Sequence, residues 1–177
     1  MLAIRSGSSR LEPTPGGPGL LEPYMPKFTV LVHVEEPSKA LEKTLESASL
    51  ANDLLVILDT ADKPLKHMVR KAKGRVKTTI PGVSPGAYAM DGYHDWVLVL
   101  RPGEVLEEKT AEVLRDWKKQ KHDDEPGHRV RIIRNGSPVE TLRLINRLKI
   151  NWTGELPPES TVIPLIGAPS QQQQHAA

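Results

Sequence analysis

Cysteine is absent from this 177-residue chain. Disulfides, thiolate metal sites and a cysteine nucleophile are therefore excluded, which fits a reducing compartment and makes the cytoplasm the expected location. Aromatics are scarce at 4%, with a single phenylalanine, so the stacking rings of a single-strand nucleic-acid platform are missing. A formal net charge of +2 is too small to point to nucleic acid by itself. No apolar run reaches the length of a bilayer span, and Leu2-Ala3-Ile4 is too short for the core of a secretory signal. Gly-x-Gly-x-x-Gly, a Walker-type Gly-Lys-Ser/Thr loop and a Gly-x-Ser-x-Gly elbow are all missing, which removes the usual dinucleotide, P-loop and serine-hydrolase readings. The six histidines are scattered, with no pair at the spacing that sets two metal ligands on one helix face.

What remains is a soluble globular balance of 38% apolar and 26% charged residues, enough for one domain with a full core. Residues 1–24 are rich in Pro, Gly and Ser and carry no periodicity, so they are expected to be a disordered tail. The low-complexity end from 167 to 177 is expected to be another, leaving the domain at 25–166. Within it, "KFTVLVHV" (27–34), "DLLVILD" (53–59) and "DWVLVL" (95–100) are continuous apolar runs, as in strands covered on both faces. "RVKTTI" (75–80) predicts a shorter strand. Leu41, Leu45 and Ala48, then Leu65, Met68, Val69 and Ala72, then Thr110, Val113, Leu114 and Trp117 form three helical stripes. Ser38 is placed to cap the first helix and Asp62 the second, with Pro64 in that second helix's first turn. "HRVRIIR" (128–134) and "VETLRLI" (139–145) flank Asn135-Gly136 and predict a late antiparallel hairpin. The order is that of an α/β domain with a mostly parallel, Rossmann-like sheet flanked by helices.

Parallel sheets of this kind bind ligands at the carboxyl ends of their strands. That rule selects His33–Glu36, Asp59–Asp62 and Arg101–Glu104. Asp59 can accept from a base N–H or cap the helix that follows. In "RPGE" (101–104), Pro102 and Gly103 stand at the second and third positions of a tight turn. The strongly basic stretches, Lys66 to Lys73 on the second helix and Arg129, Arg131 and Arg134 on the hairpin, read as solvated faces or as contacts to an anionic membrane surface. Trp96, Trp117 and Trp152 read as core.

Taken together, the strand ends resemble those of family 2 glycosyltransferases with the GT-A fold, in particular the branch of lipopolysaccharide-core sugar transferases. "VEEPSKALEKTLES" (34–47), "VILDTAD" (56–62), "DWVLVLRPGEVL" (95–106) and "LRLINRLKINWTGELPPES" (142–160) follow that family's motifs in order. The resemblance implies a GT-A-like domain that binds a nucleotide sugar through Glu35, Asp59, Arg101 and Glu104. Glu155 and Glu159 would be candidate general bases for the hydroxyl of an unknown acceptor, such as a lipid-linked glycan, with peripheral membrane contact and no nucleic acid. The departures are equally specific. Arg101 and Gly103 replace the aspartates of the Asp-x-Asp metal motif, Val34 replaces an asparagine, and Pro158 replaces a histidine before Glu159. No metal or other cofactor is expected, because a divalent cation needs carboxylate oxygens there. Arg101 then either stands in for the metal on a diphosphate or merely belongs to a turn. The expected function is sugar transfer that is metal-independent, weak or lost. The alternatives are a non-catalytic scaffold domain or a basic nucleic-acid-binding module.

Overall fold

A computed structural model describes residues 25–60, 62–122, 124–150, 152, 154–158 and 165–166; the expected tails at 1–24 and 167–177 lie outside the described residues. The strands are β1 (Phe28–Val34), β2 (Asp53–Leu58), β3 (Arg75–Thr78), β4 (Trp96–Leu100), β5 (Glu104–Leu106), β6 (Gly127–Arg134), β7 (Ser137–Asn146) and β8 (Leu165–Ile166). The helices are α1 (Ala40–Ser47), α2 (Lys63–Lys71) and α3 (Glu108–Trp117). One sheet contains all eight strands. Its order is β3-β2-β1-β4-β7-β6-β5, with β8 added to β6. The β3-β2-β1-β4 half is parallel, and the ladders from β4 through β7 and β6 to β5 are antiparallel. The expected parallel part and the late hairpin therefore coexist in one sheet, which is divided between parallel and antiparallel ladders instead of being mostly parallel, with all three α-helices on one side of it.

The continuous apolar runs are explained by two cores. Phe28, Val30, Val32, Val56, Leu58, Leu98 and Leu100 pack on one side against Leu41 and Leu45 of α1, Leu65 and Val69 of α2, and Leu114 and Trp117 of α3. Leu31, Leu55, Ile57, Val97 and Val99 pack on the other against Tyr88, Ile150 and Trp152. All three tryptophans are buried. Ser38 Oγ accepts from the N–H of Ala40 at 3.1 Å and so caps α1. Asp62 occupies the N-cap of α2, but its side chain makes no capping bond. The hairpin turns through Asn135 and Gly136, both at positive φ, the type I′ geometry that Asn-Gly favours.

Two features depart from the sequence pattern. Residues 104–106 form a strand against the far end of β6, where only a turn and a helix approach were expected. The β6–β7 ladder also shifts register between His128 and Arg129, which pair with Leu144 and Leu142. Arg143 is thus left opposite no residue. A bulge of this kind redirects a side chain, and Arg143 is completely buried.

At the amino-terminal end of β2, Asp53 accepts from Arg75 at 2.8 and 2.6 Å, from Thr29 at 3.0 Å and from the Tyr93 N–H at 3.2 Å. Burial pushes its carboxyl up, but these bonds together pull it below the ordinary value. This cluster ties β1, β2, β3 and the 85–93 segment together at the end remote from the cleft described below.

Candidate functional site

The parallel half reverses its direction of growth between β1 and β4. That reversal, the switch point, is the place where open α/β sheets bind ligands, outside the carboxyl ends of the strands. A cleft of ≈ 400 Å³ lies there, lined by His33, Glu35, Glu36, Arg101, Pro102 and Glu155. Glu35 and Glu36 follow β1, and Arg101 and Pro102 follow β4. Glu155 is brought in from the segment after β7. That segment is anchored by buried Trp152 and by the Gly86 N–H, which donates to the Gly154 carbonyl at 2.9 Å.

The turn that carries Arg101 is built as its residue types dictate. Gly103 has φ +89°, and the Glu104 N–H donates back to the Arg101 carbonyl at 3.0 Å. The Gly103 N–H donates to Thr44 Oγ1 of α1 at 2.9 Å, fastening the turn to the helix. Arg101 makes a two-point bond to Glu155, Nε to Oε1 at 2.7 Å and Nη2 to Oε2 at 2.8 Å. Both side chains remain more than one-third exposed, at 41% and 35%. A pair this wet contributes only about 0–1 kcal/mol, so it opens at little cost.

Glu104 is placed very differently. It is 2% exposed, and its Oε1 accepts from Arg143 at 2.8 Å and Arg134 at 2.9 Å. Its Oε2 accepts from the Arg101 N–H at 2.9 Å. Both oxygens of this carboxylate are thus engaged within the protein. Burial pushes the Arg143 guanidinium below its usual range, while Glu104 draws it back up. Arg134 therefore belongs to an ion cluster rather than a solvated face, and Arg131 pairs with Glu107 at 3.1 Å. In contrast, Arg70, Lys71 and Lys73 near the end of α2 are exposed.

Asp59 stands at the end of β2, next to the β1 side of the cleft. Its Oδ1 is 2.9 Å from His33 Nε2. That bond, outweighing a small effect of burial and assisted by Thr79, holds the Asp59 carboxyl below its ordinary value. The side chain is turned to His33 instead of capping α2. The structure thus brings together Glu35, Arg101 and Glu155, with Asp59 adjoining through His33. Glu104 lies beneath the turn, and Glu159 lies outside the described residues. His33 falls within the strand-end stretch that the sequence selects, but its pairing with Asp59, twenty-six positions on, was not legible there.

No protein-family model matches the chain, and no curated protein matches it significantly. Among solved structures, S. aureus TarS aligns with a TM-score of 0.42 at 16% identity, over 51% of this chain and 19% of TarS. A mycobacterial protein aligns with a TM-score of 0.39 at 14% identity, over 52% of this chain and 35% of that one. This chain therefore spans about a fifth to a third of the length of these neighbours. Likeness at this level carries no conclusion about chemistry. No helix among the described residues is long and apolar enough to cross a membrane.

Proposed function

We propose that this chain is a glycosyltransferase-like domain that binds a nucleotide sugar at the β1–β4 cleft, with sugar transfer that is metal-independent and weak or lost. The observation that supports this most is the convergence of Glu35, Arg101 and Glu155 at the switch point of the sheet. In transfer, an acceptor hydroxyl oxygen would bond to the anomeric carbon as the carbon–oxygen bond to the diphosphate breaks. The diphosphate leaves with the electron pair, and the hydroxyl proton passes to a carboxylate. Arg101 would hydrogen-bond the leaving diphosphate oxygens, the role a cation otherwise takes. Glu155, or Glu159, would receive the proton. The acceptor class, a lipid-linked glycan at a membrane surface, belongs to the same reading.

The donor set at the turn does not suit a divalent metal. Arg101 repels one, Gly103 offers only backbone, and Glu104 is committed to Arg134 and Arg143. A scaffold domain without a ligand is the second reading, favoured by the pairing of Arg101 with Glu155. The cleft holds three glutamates to one arginine, and a diphosphate that takes the Nε–Nη2 edge of the guanidinium would displace Glu155 from it.

Calorimetric titration with nucleoside diphosphates and nucleotide sugars, with and without manganese, separates the two. Metal-independent binding that falls roughly ten- to hundredfold in Arg101→Ala is expected, the loss of one charge-assisted pair. Absence of binding by all these compounds would leave only the scaffold.

A further inference from the structure

We propose that His122, Glu125 and His128 form a binding site for one zinc-type divalent cation, apart from the cleft and independent of the function proposed above. The three residues fall within seven positions, between the end of α3 and the start of β6. One ligand atom from each lies within 4.8 Å of the others. Glu125 Oε2 is 2.9 Å from His122 Nδ1 and 2.7 Å from His128 Nε2. Both imidazoles are buried, while the Glu125 side chain is 38% exposed and gives the site its opening to solvent. Two imidazoles and a carboxylate are a donor set that zinc takes readily, with a further position left for water.

The surroundings prepare these donors. His122 Nε2 is 2.9 Å from the Trp117 carbonyl. A carbonyl only accepts, so Nε2 carries a proton and Nδ1 is the ring atom turned toward Glu125, the atom that a neutral ring would offer to a metal. His128 Nε2 faces the Trp117 indole N–H at 3.1 Å, a donor only, and so presents a lone pair as well. Glu125 Oε2 thus stands 2.9 and 2.7 Å from two ring nitrogens, a spacing of ligand atoms that one cation can bridge. A cation satisfies all three donors at once, and the indole N–H then yields the His128 lone pair to the metal. Stacking fixes the rings: Trp117 lies on His122 at 4.4 Å and 11°, and Trp96 on His128 at 5.4 Å and 20°. Binding would clamp the carboxyl end of α3 to β6.

Two tryptophans on the imidazoles make intrinsic emission the readout. The full-length chain, freed of metal with a chelator, is titrated with Zn²⁺, Co²⁺, Mg²⁺ and Ca²⁺ while tryptophan emission and bound metal are measured. One Zn²⁺ per chain is expected, with a change in emission, Co²⁺ competing for the same site, and no response to Mg²⁺ or Ca²⁺, which prefer oxygen. Glu125→Gln, conservative and half-exposed, should weaken Zn²⁺ binding at least tenfold, as should His122→Gln. His67→Gln on α2 should leave it unchanged. Zinc binding that is undiminished in folded Glu125→Gln, or an emission change driven by protons but indifferent to zinc, would overturn the proposal.

Discussion

Replacing Glu104 with glutamine probes the ion cluster beneath the Arg101 turn, and its effect can be worked out from the three groups that the carboxylate serves. Arg134 is 37% exposed and regains water when its partner is neutralised. The Arg101 N–H can still donate to the amide oxygen of the new side chain. Arg143 has no such recourse: it is completely buried, and Nη2 to Glu104 Oε1 is its charge-neutralising contact. Removing one member of a buried pair costs about 3–5 kcal/mol, because the remaining charge is left without compensation. The amide dipole recovers a little, which puts Glu104→Gln near about 3 kcal/mol. For a domain of this size that lowers Tm by roughly 6–12 °C. Urea unfolding followed by far-ultraviolet circular dichroism measures it. Adding Arg143→Met removes the stranded cation, so the double variant should be more stable than Glu104→Gln alone. A loss under about 1 kcal/mol in the single variant, or a double variant as unstable as the sum of the two singles, would refute the reasoning.

The turn itself is tested by Gly103→Val. A Cβ there would meet only Ala40 at 3.5 Å, so the expected loss of about 1–3 kcal/mol is backbone strain at φ +89°, read from the urea midpoint. Glu155→Gln frees Arg101 without disturbing the core. It should raise the calorimetric affinity for a nucleoside diphosphate several-fold if the guanidinium receives phosphate, and an unchanged or lower affinity would count against that role. The Asp53 cluster governs acid stability. A carboxyl lowered by folding stabilises fully above its unfolded value of about 3.9 and loses that contribution as pH falls through its folded value. Asp53→Asn should therefore destabilise the chain at pH 7 by about 1.5–3 kcal/mol and by much less at pH 2, as followed by chemical unfolding at both pH values. Equal losses at the two pH values would remove the linkage.

The legibility of the fold follows from where burial is two-sided. β1, β2 and β4 have apolar side chains on both faces, so their sequences run apolar without alternation and announce a covered parallel sheet. The helical stripes are visible for the opposite reason: each helix buries one face only, so Leu41 and Leu45, Leu65 and Val69, and Leu114 and Trp117 recur at helical spacing. The three residues of β5 carry too little pattern for that. They form a strand because β6 offers an open edge, a fact that sits some thirty residues away in the chain. Arg143 was equally hidden. It lies in an apolar stretch of β7 opposite the register shift between His128 and Arg129, and nothing in that stretch marks its charge as buried. Glu104, which reads as a surviving ligand beside the altered metal motif, is buried because that arginine needs it. The histidine cluster escaped notice because a helix was the expected carrier of metal ligands, whereas a loop and a strand start bring those rings together.

The site shows the same dependence on distance along the chain. A proline, a glycine and the end of an apolar strand suffice to predict the turn at 101–104, and the positive φ and the 3.0 Å bond across it are what those residues require. What the turn presents is a different matter. Whether Arg101 is a ligand for phosphate depends on Glu155, fifty-four positions on, because that carboxylate occupies the Nε–Nη2 edge of the guanidinium. Turn and cation are therefore not alternatives. The turn fixes the guanidinium at the switch point, and Glu155 holds it in the geometry in which two oxygens bind it side by side. In an ion pair exposed on both sides this hold is weak, while a diphosphate brings more charge to the same fork. Under the proposed function, ligand binding at the cleft would then turn on competition between one carboxylate of the chain and one anion from solution.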